Sequence, residues 1–541
     1  MSTGGGTCKG ASTRKKELAL ALAVSLWMAG GSVASAAPNA LFLRTRDEDK
    51  LAAYDYYSPI PFSYGDAAIA LCPAGSEIAY SSAEKTLTIT GGDWSGWGYI
   101  AGGNTSNYQD AYTGGDVVGY HLTLTNVTKA KDVYGAYTGM SGDAKNNWLV
   151  VSGTNAAKTE ITRTAVGGRS SKGDATGNHV ELVHVQVSGS DSWGNIVVGG
   201  WTDASPADKE ASGNFVTLTD SVTGAVLGGF AQNGGTKTGG NTVTLLGGNT
   251  VNGDLLGGGN TDRGSVVTGN VLNLSGANIV NAGTGGTFDS GTVKNFETIN
   301  IVSAAWGTPV LTLNGAGMAQ NANGTWATIN TKNIAFPNLD ALPAAGESTV
   351  LIKNTMTGFD GEILSGKYTV GTTLEGIGTA SISGDDLIYT VNKEEDNGGN
   401  DNPSGNDNGN GSKPVLKARE QTHNTVMGAA VGMAALSMGN DFIGSAMDGL
   451  SLASNVGADG VSSFAQMGGG SMRQETGSHV DTHTWNAILA LGHQNKKERG
   501  MMEYGAFFEY GTGNYTTHAD NGLRATARRA IRAAGSWRNA R

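Results

Sequence analysis

The sequence predicts an all-β chain in which a right-handed parallel β-solenoid is followed by a linker, a helix and an incomplete transmembrane β-barrel. Three observations carry this expectation. Gly-Gly pairs recur in Val166-Gly167-Gly168, Val198-Gly199-Gly200, Leu227-Gly228-Gly229 and Leu256-Gly257-Gly258, about 29 to 32 residues apart, a period typical of solenoid units. Each pair is followed by a polar stretch and then by a strand that opens on Gly-Asn, as in Gly177-Asn178-His179-Val180-Glu181-Leu182 and Gly213-Asn214-Phe215-Val216-Thr217-Leu218. Between residues 463 and 522 the apolar residues alternate in longer runs, the weak dyad pattern of membrane strands.

Residues 1–36 read as a secretory signal. Arg14, Lys15 and Lys16 form a positive start, residues 18–29 an apolar stretch too short to span a bilayer, and Ala34-Ser35-Ala36 a small-residue cleavage site. Cys8 falls inside this segment. Cys72 is then alone, so no intramolecular disulfide is expected.

The solenoid is expected over 37–302. With 85 glycines and 15% charged residues the chain is far from an ordinary globular average, and its middle is dominated by Gly, Asn, Thr, Ser and Val. Glycine permits tight corners, and asparagine tolerates left-handed dihedrals and stacks into polar ladders. Val180, Leu182, Val216, Leu218, Val243 and Leu245 are therefore assigned to the interior. Tyr134-Gly135-Ala136 reads as an earlier, degenerate copy of the Gly-Gly unit. A β-sandwich of repeated hairpins would show a similar period and stands as the competing architecture.

Over 303–392 the Gly-Gly signal fades while strands such as Val310-Leu311-Thr312-Leu313 continue, as expected of terminal coils and a cap. Residues 393–414, rich in Asn, Gly and Asp, have almost nothing apolar to bury and read as a disordered linker. Beyond Pro414, Val426, Met427, Ala430, Met433, Ala434 and Leu436 recur at helical spacing with small residues between them.

At Ser463-Phe464-Ala465-Gln466-Met467-Gly468-Gly469-Gly470-Ser471 and Thr476-Gly477-Ser478-His479-Val480-Asp481, then through Thr484-Trp485-Asn486 and Gly505-Ala506-Phe507-Phe508-Glu509-Tyr510-Gly511, the chain resembles the β-domain of autotransporters of the type V secretion pathway. The likeness covers about 60 residues, and the signal, repetitive segment, linker and helix precede it in that family's order. The resemblance implies a passenger carried to the cell surface by a C-terminal barrel of its own chain, with a pore helix at 415–438. It implies the outer membrane and its barrel-assembly machinery as partners, and an outer-membrane and cell-surface location. The sequence departs from the family after Leu523. Residues 524–541 hold six arginines, no acidic residue and no evident alternation. They read as an out-of-frame tail that leaves 415–523 as the pore helix and first strands of a truncated β-domain, with a natural basic tail as the other reading. A chain so truncated is expected to stop in the periplasm.

No nucleophile elbow, zinc-binding helix, Walker loop or nonapeptide calcium repeat occurs. The formal net charge of -11 argues against a nucleic-acid partner. His479, Asp481 and His483 fall on one strand face at a spacing from which a metal site could be built, but a polar face in a barrel lumen is the preferred explanation, and no metal, cofactor or catalytic residue is assigned. His179 and His184 fall on opposite faces. The function expected is adhesion or another surface interaction with host or bacterial ligands, not catalysis. The alternative, a solenoid polysaccharide hydrolase or lyase on the same delivery route, would need Asp191, Asp203, Arg163 and Arg169 to converge. A wholly secreted structural protein is the third reading.

Overall fold

The structure, a computed structural model, describes residues 3–7, 40–44, 50–54, 63–105, 115–139, 141–189, 195–203, 209–232, 237–260, 268–283, 287–337, 343–354, 358–371, 374–392, 416–418, 461–475, 479–497, 500–518 and 524–540. The chain divides into two compact units, Met1–Lys417 and Ala418–Arg541.

The first unit is a parallel β-solenoid of about 8 turns. Each full coil contributes three strands. The first face stacks Thr86–Thr90, His121–Thr125, Trp148–Ser152, His179–Val183, Phe215–Thr219, Thr242–Leu245, Val271–Ser275 and Thr298–Ser303, each parallel to the next and in register at its opening residues. A second face stacks the short strands Val185–Val187, Val222–Thr223, Asn249–Asn252, Asn278–Asn281 and Leu311–Asn314. The third face stacks Tyr99–Asn104, Lys129–Thr138, Thr159–Ser170, Ile196–Thr202, Val226–Ala231 and Leu255–Leu256, with Gly135-Ala136 at the Gly-Gly position of the second and Gly257-Gly258 just after the last.

Strict alternation explains the first face. In every coil two aliphatic side chains point inward and stack on those of the next coil, and all six residues assigned to the interior are buried, none more than 2% exposed. Each such side chain contributes roughly 1.5–3 kcal/mol. The β-sandwich alternative is excluded, because the strands of successive repeats pair parallel and one coil apart.

Gly-Gly and Gly-Asn recur together because they meet in space. The buried amides of Asn147, Asn178, Asn214, Asn241 and Asn270 form one continuous ladder. Each Nδ2 donates to the next Oδ1 at 2.9, 3.1, 3.1 and 3.3 Å, and each backbone N–H donates to that same oxygen at 2.9–3.1 Å. The second glycine of each pair makes room for this ladder: a Cβ on Gly168 or Gly200 would strike the amide of Asn178 or Asn214. The first glycine lets the coils approach, since a Cβ on Gly167, Gly199 or Gly228 would strike the carbonyl of the first glycine one coil on. The glycine before each ladder asparagine turns the corner with φ of 65°, 64°, 69° and 76° at Gly177, Gly213, Gly240 and Gly269.

The Gly-Gly signal ends near residue 302, but parallel pairing does not. Leu311–Asn314 continues the second face, and Thr328–Asn330 and Ile334–Phe336 continue the first. The stack is closed where Lys367–Val370 turns antiparallel onto Leu374–Ser383, which pairs antiparallel with Asp386–Val391. Phe336, Tyr368 and Tyr389 pack together there with ring centroids 5.9–6.1 Å apart. At the other end, Ala40–Arg44 pairs antiparallel with Lys50–Tyr54, and Thr3–Thr7 pairs antiparallel with Glu77–Ser81. The remainder of the expected signal, the linker 393–414 and the pore helix 415–438 lie outside the described residues, apart from residues 416–418. Among the described residues no helix is long and apolar enough to cross a membrane.

The second unit holds a four-stranded antiparallel sheet: Val461–Glu475, His479–Lys497, Gly500–His518 and Arg524–Ala540. Residues 524–540, the segment that the sequence reads as an out-of-frame tail, pair along their whole length with the third strand. The reason is periodic: arginine, alanine, serine and threonine occupy every even position from 524 to 540, so the segment has a consistent polar or small face despite its charge.

Candidate functional site

Three surfaces bring chemistry-bearing side chains together. On the outer side of the Gly-Gly face, the position after the second glycine is Tyr137, Arg169, Trp201 and Phe230 in successive coils, aligned by the strand register. The Arg169 guanidinium lies 4.3 Å from the Trp201 ring centroid and 5.7 Å from that of Tyr137. Its Nε and Nη2 donate to Asp203 Oδ2 at 3.1 and 2.9 Å, and Nη1 donates to the Tyr134 hydroxyl at 3.4 Å. Burial, followed by the nearby Asp132 carboxylate, pushes the Tyr134 phenol up to about 12. Tyr99, Tyr134 and Tyr137 enclose one another at 5.5–5.9 Å.

Of the residues whose convergence a polysaccharide-cleaving site would need, Arg169 and Asp203 therefore do meet. Both are engaged with each other, and the guanidinium faces are covered by rings. Arg163 does not join them. It pairs with Asp132 at 3.1 Å, six residues back along the strand, roughly 20 Å for extended chain. Asp191 lies outside the described residues. This arrangement holds the outer side of three coils together and leaves Arg169 poorly placed to act on a substrate.

The outer side of the first face is different in kind. The residue that opens four consecutive strands is an aromatic ring: His121, Trp148, His179 and Phe215. These rings stack nearly parallel, with centroids 5.8, 3.8 and 4.4 Å apart. Burial holds both imidazoles below the ordinary histidine range, and the neighbouring His121 adds to the effect at His179. In the next outward row, two residues along each strand, stand Thr217 and Thr244, then an amide ladder through Asn273, Asn300 and Asn330 with links of 2.9 Å. The ring column was readable in the sequence as the residue after each Gly-Asn or its equivalent, but only with the coil register in hand.

His184 stands apart from His179, at a left-handed corner with φ 53°. Its Nδ1 lies 2.7 Å from Asp220 Oδ2, and Lys158 donates to the Asp220 carbonyl at 2.6 Å. The hydrogen bond with His184 is the main cause that holds the Asp220 carboxyl below its usual range. Among the described residues no hydroxyl or thiol is hydrogen-bonded to this imidazole.

The third surface is a face of the C-terminal sheet on which large apolar side chains are exposed, while Ile488 and Ala490 on the opposite face are buried. Met467 is 73% exposed, Leu489 and Leu491 54% and Phe508 51%, while Glu509 on the opposite face is 7% exposed. Cross-strand register puts Met467, Ala487 and Tyr510 side by side on the exposed face, with Ala465, Leu489 and Phe508 as the adjoining row. Gln466, Asn486 and Glu509 lie on the other face, where side chains are partly or fully covered. In the considered metal trio, Asp481 accepts hydrogen bonds from Arg473 at 2.7 and 3.1 Å. Among the described residues no group of three ligand-type side chains could hold a metal ion.

Comparison with protein-family models, with characterised proteins and with solved structures finds no match to this chain.

Proposed function

We propose that the chain is an autotransporter, in which the solenoid is a passenger destined for the cell surface and the C-terminal sheet belongs to the β-domain that delivers it. The observation that carries this reading is the joining, in one chain, of a parallel solenoid with a sheet that exposes Met467, Leu489, Leu491 and Phe508 on one face and covers Glu509 on the other. A sheet in water buries its aliphatic face. A membrane sheet turns that face to lipid and keeps its polar residues on the other side. Three strands of 15, 19 and 19 residues also exceed the roughly 9–11 that a tilted membrane strand requires.

The passenger's role is adhesion or another surface interaction. Its first face offers a long, regular array of hydroxyl, amide and ring groups, a broad contact surface of the kind stacked repeats present. The mutual engagement of Arg169 and Asp203 favours this role over polysaccharide cleavage. Fractionation of a Gram-negative host expressing the full chain tests the assignment. The solenoid should sediment with the outer membrane, and deletion of 461–540 should move it to the soluble periplasmic fraction. A chain that stays soluble with the sheet intact would falsify the membrane assignment.

A further inference from the structure

The first face of the solenoid is almost free of charge. Among the outward side chains of its described strands, from Thr86 to Asn330, Glu181 is the one Asp, Glu, Lys or Arg, in a chain in which 15% of residues are charged. The third face, by contrast, carries Asp132, Arg163 and Arg169. Toward the C-terminal end of the first face the middle outward row is Thr244, Asn273, Asn300 and Asn330, one residue per coil and all half-buried. Each asparagine donates one Nδ2 hydrogen to the side-chain oxygen one coil back, at 3.3, 2.9 and 2.9 Å. An amide has two such hydrogens and an oxygen with two lone pairs, so the ladder fixes Asn273 and Asn300 and leaves each a second donor and a second lone pair. These groups recur at the strand spacing of about 4.8 Å. Leu246 and Val302, two residues beyond Thr244 and Asn300 and on the same side of their strands, are each 47% exposed.

We infer that this strip binds a neutral, extended polysaccharide that lies across the strands with one sugar unit on each coil. An extended β-linked glycan advances by close to the coil spacing per unit. Its hydroxyls both donate and accept, and each meets an amide that offers both. The C–H faces of the sugar rings meet Leu246 and Val302. Because the ladder already holds the amides in place, binding orders few side chains. Charge excludes the polyanions, whether nucleic acid or acidic glycan: the strip has no cation to pair with them, and the chain as a whole is acidic. A folded protein does not repeat one hydrogen-bonding group at this spacing, a second copy of the same face excepted. The inference rests on the reading of the solenoid as a surface-interaction passenger and names the class of its ligand.

Affinity electrophoresis of the full chain decides it, in gels that contain hydroxyethyl cellulose or glucomannan, with carboxymethyl cellulose as the anionic counterpart. At least one neutral polymer should retard the chain, and carboxymethyl cellulose should not. Asn300→Ala should weaken the retardation about tenfold, the loss expected when one hydrogen-bonding group is withdrawn from a bound ligand. The double variant Leu246→Lys/Val302→Lys changes two exposed positions and leaves the ladder intact. It should keep the parent's urea midpoint, lose neutral-polymer binding to a similar degree and begin to bind carboxymethyl cellulose. Retardation by neither neutral polymer, equal retardation by carboxymethyl cellulose, or a folded double variant that binds like the parent would each overturn the inference. So would self-association of the parent that the double variant abolishes, since the strip would then be a contact between copies. Attachment of expressing cells to surfaces is a separate readout: cells that attach while no neutral polymer binds would refute the ligand class and leave the adhesion reading standing.

Discussion

The solenoid and the C-terminal sheet are built from the same alternating strands and put them to opposite uses. In the solenoid, Val216 and Leu218 point into a closed interior, and Thr217 faces out. In the sheet, the run 487–491 is apolar on both faces, and Leu489 and Leu491 face out while Ile488 and Ala490 are covered. The solenoid therefore hides all of its aliphatic face, whereas the sheet leaves part of its aliphatic surface exposed. What separates the two regions is the material between apolar positions: glycine pairs and asparagines that lock one coil to the next, against long uninterrupted runs that pair only along their edges.

The sharpest way to break the comparison is at glycine. Gly228→Val would drive side-chain carbon into the Gly257 carbonyl and the Asn241 side chain, both fixed by the stack. We expect a loss of about 3 kcal/mol or more, seen as a lower urea midpoint and new protease cuts in the solenoid. Gly469→Val, in the sheet, would meet its nearest neighbour, the Thr484 carbonyl, at 3.2 Å. It should change stability by less than about 1 kcal/mol, since a β-branched residue suits an open strand. Equal damage at both sites would mean that the coils are not locked as described.

Leucine sharpens the contrast next. Leu218→Ser removes a fully buried side chain and leaves a hydroxyl in the interior, at a cost of about 3–5 kcal/mol. Leu489→Ser, at a position more than half exposed, should leave stability in water within about 0.5 kcal/mol. It should instead weaken partition into membranes or detergent. A sheet that unfolds in water on losing Leu489 would show that its apolar face is covered by protein.

The solenoid was legible because each of its rules is local. Gly-Gly, Gly-Asn and two alternating aliphatics recur in every coil, so the interior could be named residue by residue. The Asn147 to Asn270 ladder was legible as a tendency, but its partnership with the second glycine was not, because the two lie 10 to 14 residues apart in sequence and meet only when the coil closes. The continuation past residue 302 was hidden for a related reason. There the third face shrinks to pairs such as Gly317–Met318, so the Gly-Gly marker vanishes while alternation at Leu311 and Leu313 goes on. The strand at 524–540 was not legible, because its arginines outweigh a weak alternation that only pairing with the third strand brings out. The stacked rings and the Arg169–Asp203 pair arise between coils, where a single chain offers no spacing rule.

The smallest expected effect comes from the ring column, which has no counterpart in the C-terminal sheet. His179 lies between Trp148 and Phe215 at 3.8 and 4.4 Å, and burial disfavours its imidazolium, with positive charge on His121 adding to the penalty. Its folded pKa is therefore depressed below the unfolded value of about 6.5. As pH falls through 6.5 the unfolded chain takes up the proton first, so stability is fully present above that pH and declines until the folded group also titrates. Below the folded pKa the loss is complete and the slope vanishes. Asp220 cannot mimic this, because its carboxyl is also depressed and its contribution is lost only below about pH 4. Replacement of His179 by phenylalanine keeps a ring in the column and removes the proton. Urea midpoints of the solenoid between pH 7.5 and 5 should slope downward in the parent chain, less steeply in His179→Phe, and least in the double variant His121→Phe/His179→Phe, since His121 is depressed as well. A parent chain that gains stability on acidification would mean that the rings stabilise the imidazolium as a cation, and that stacking outweighs desolvation at this surface.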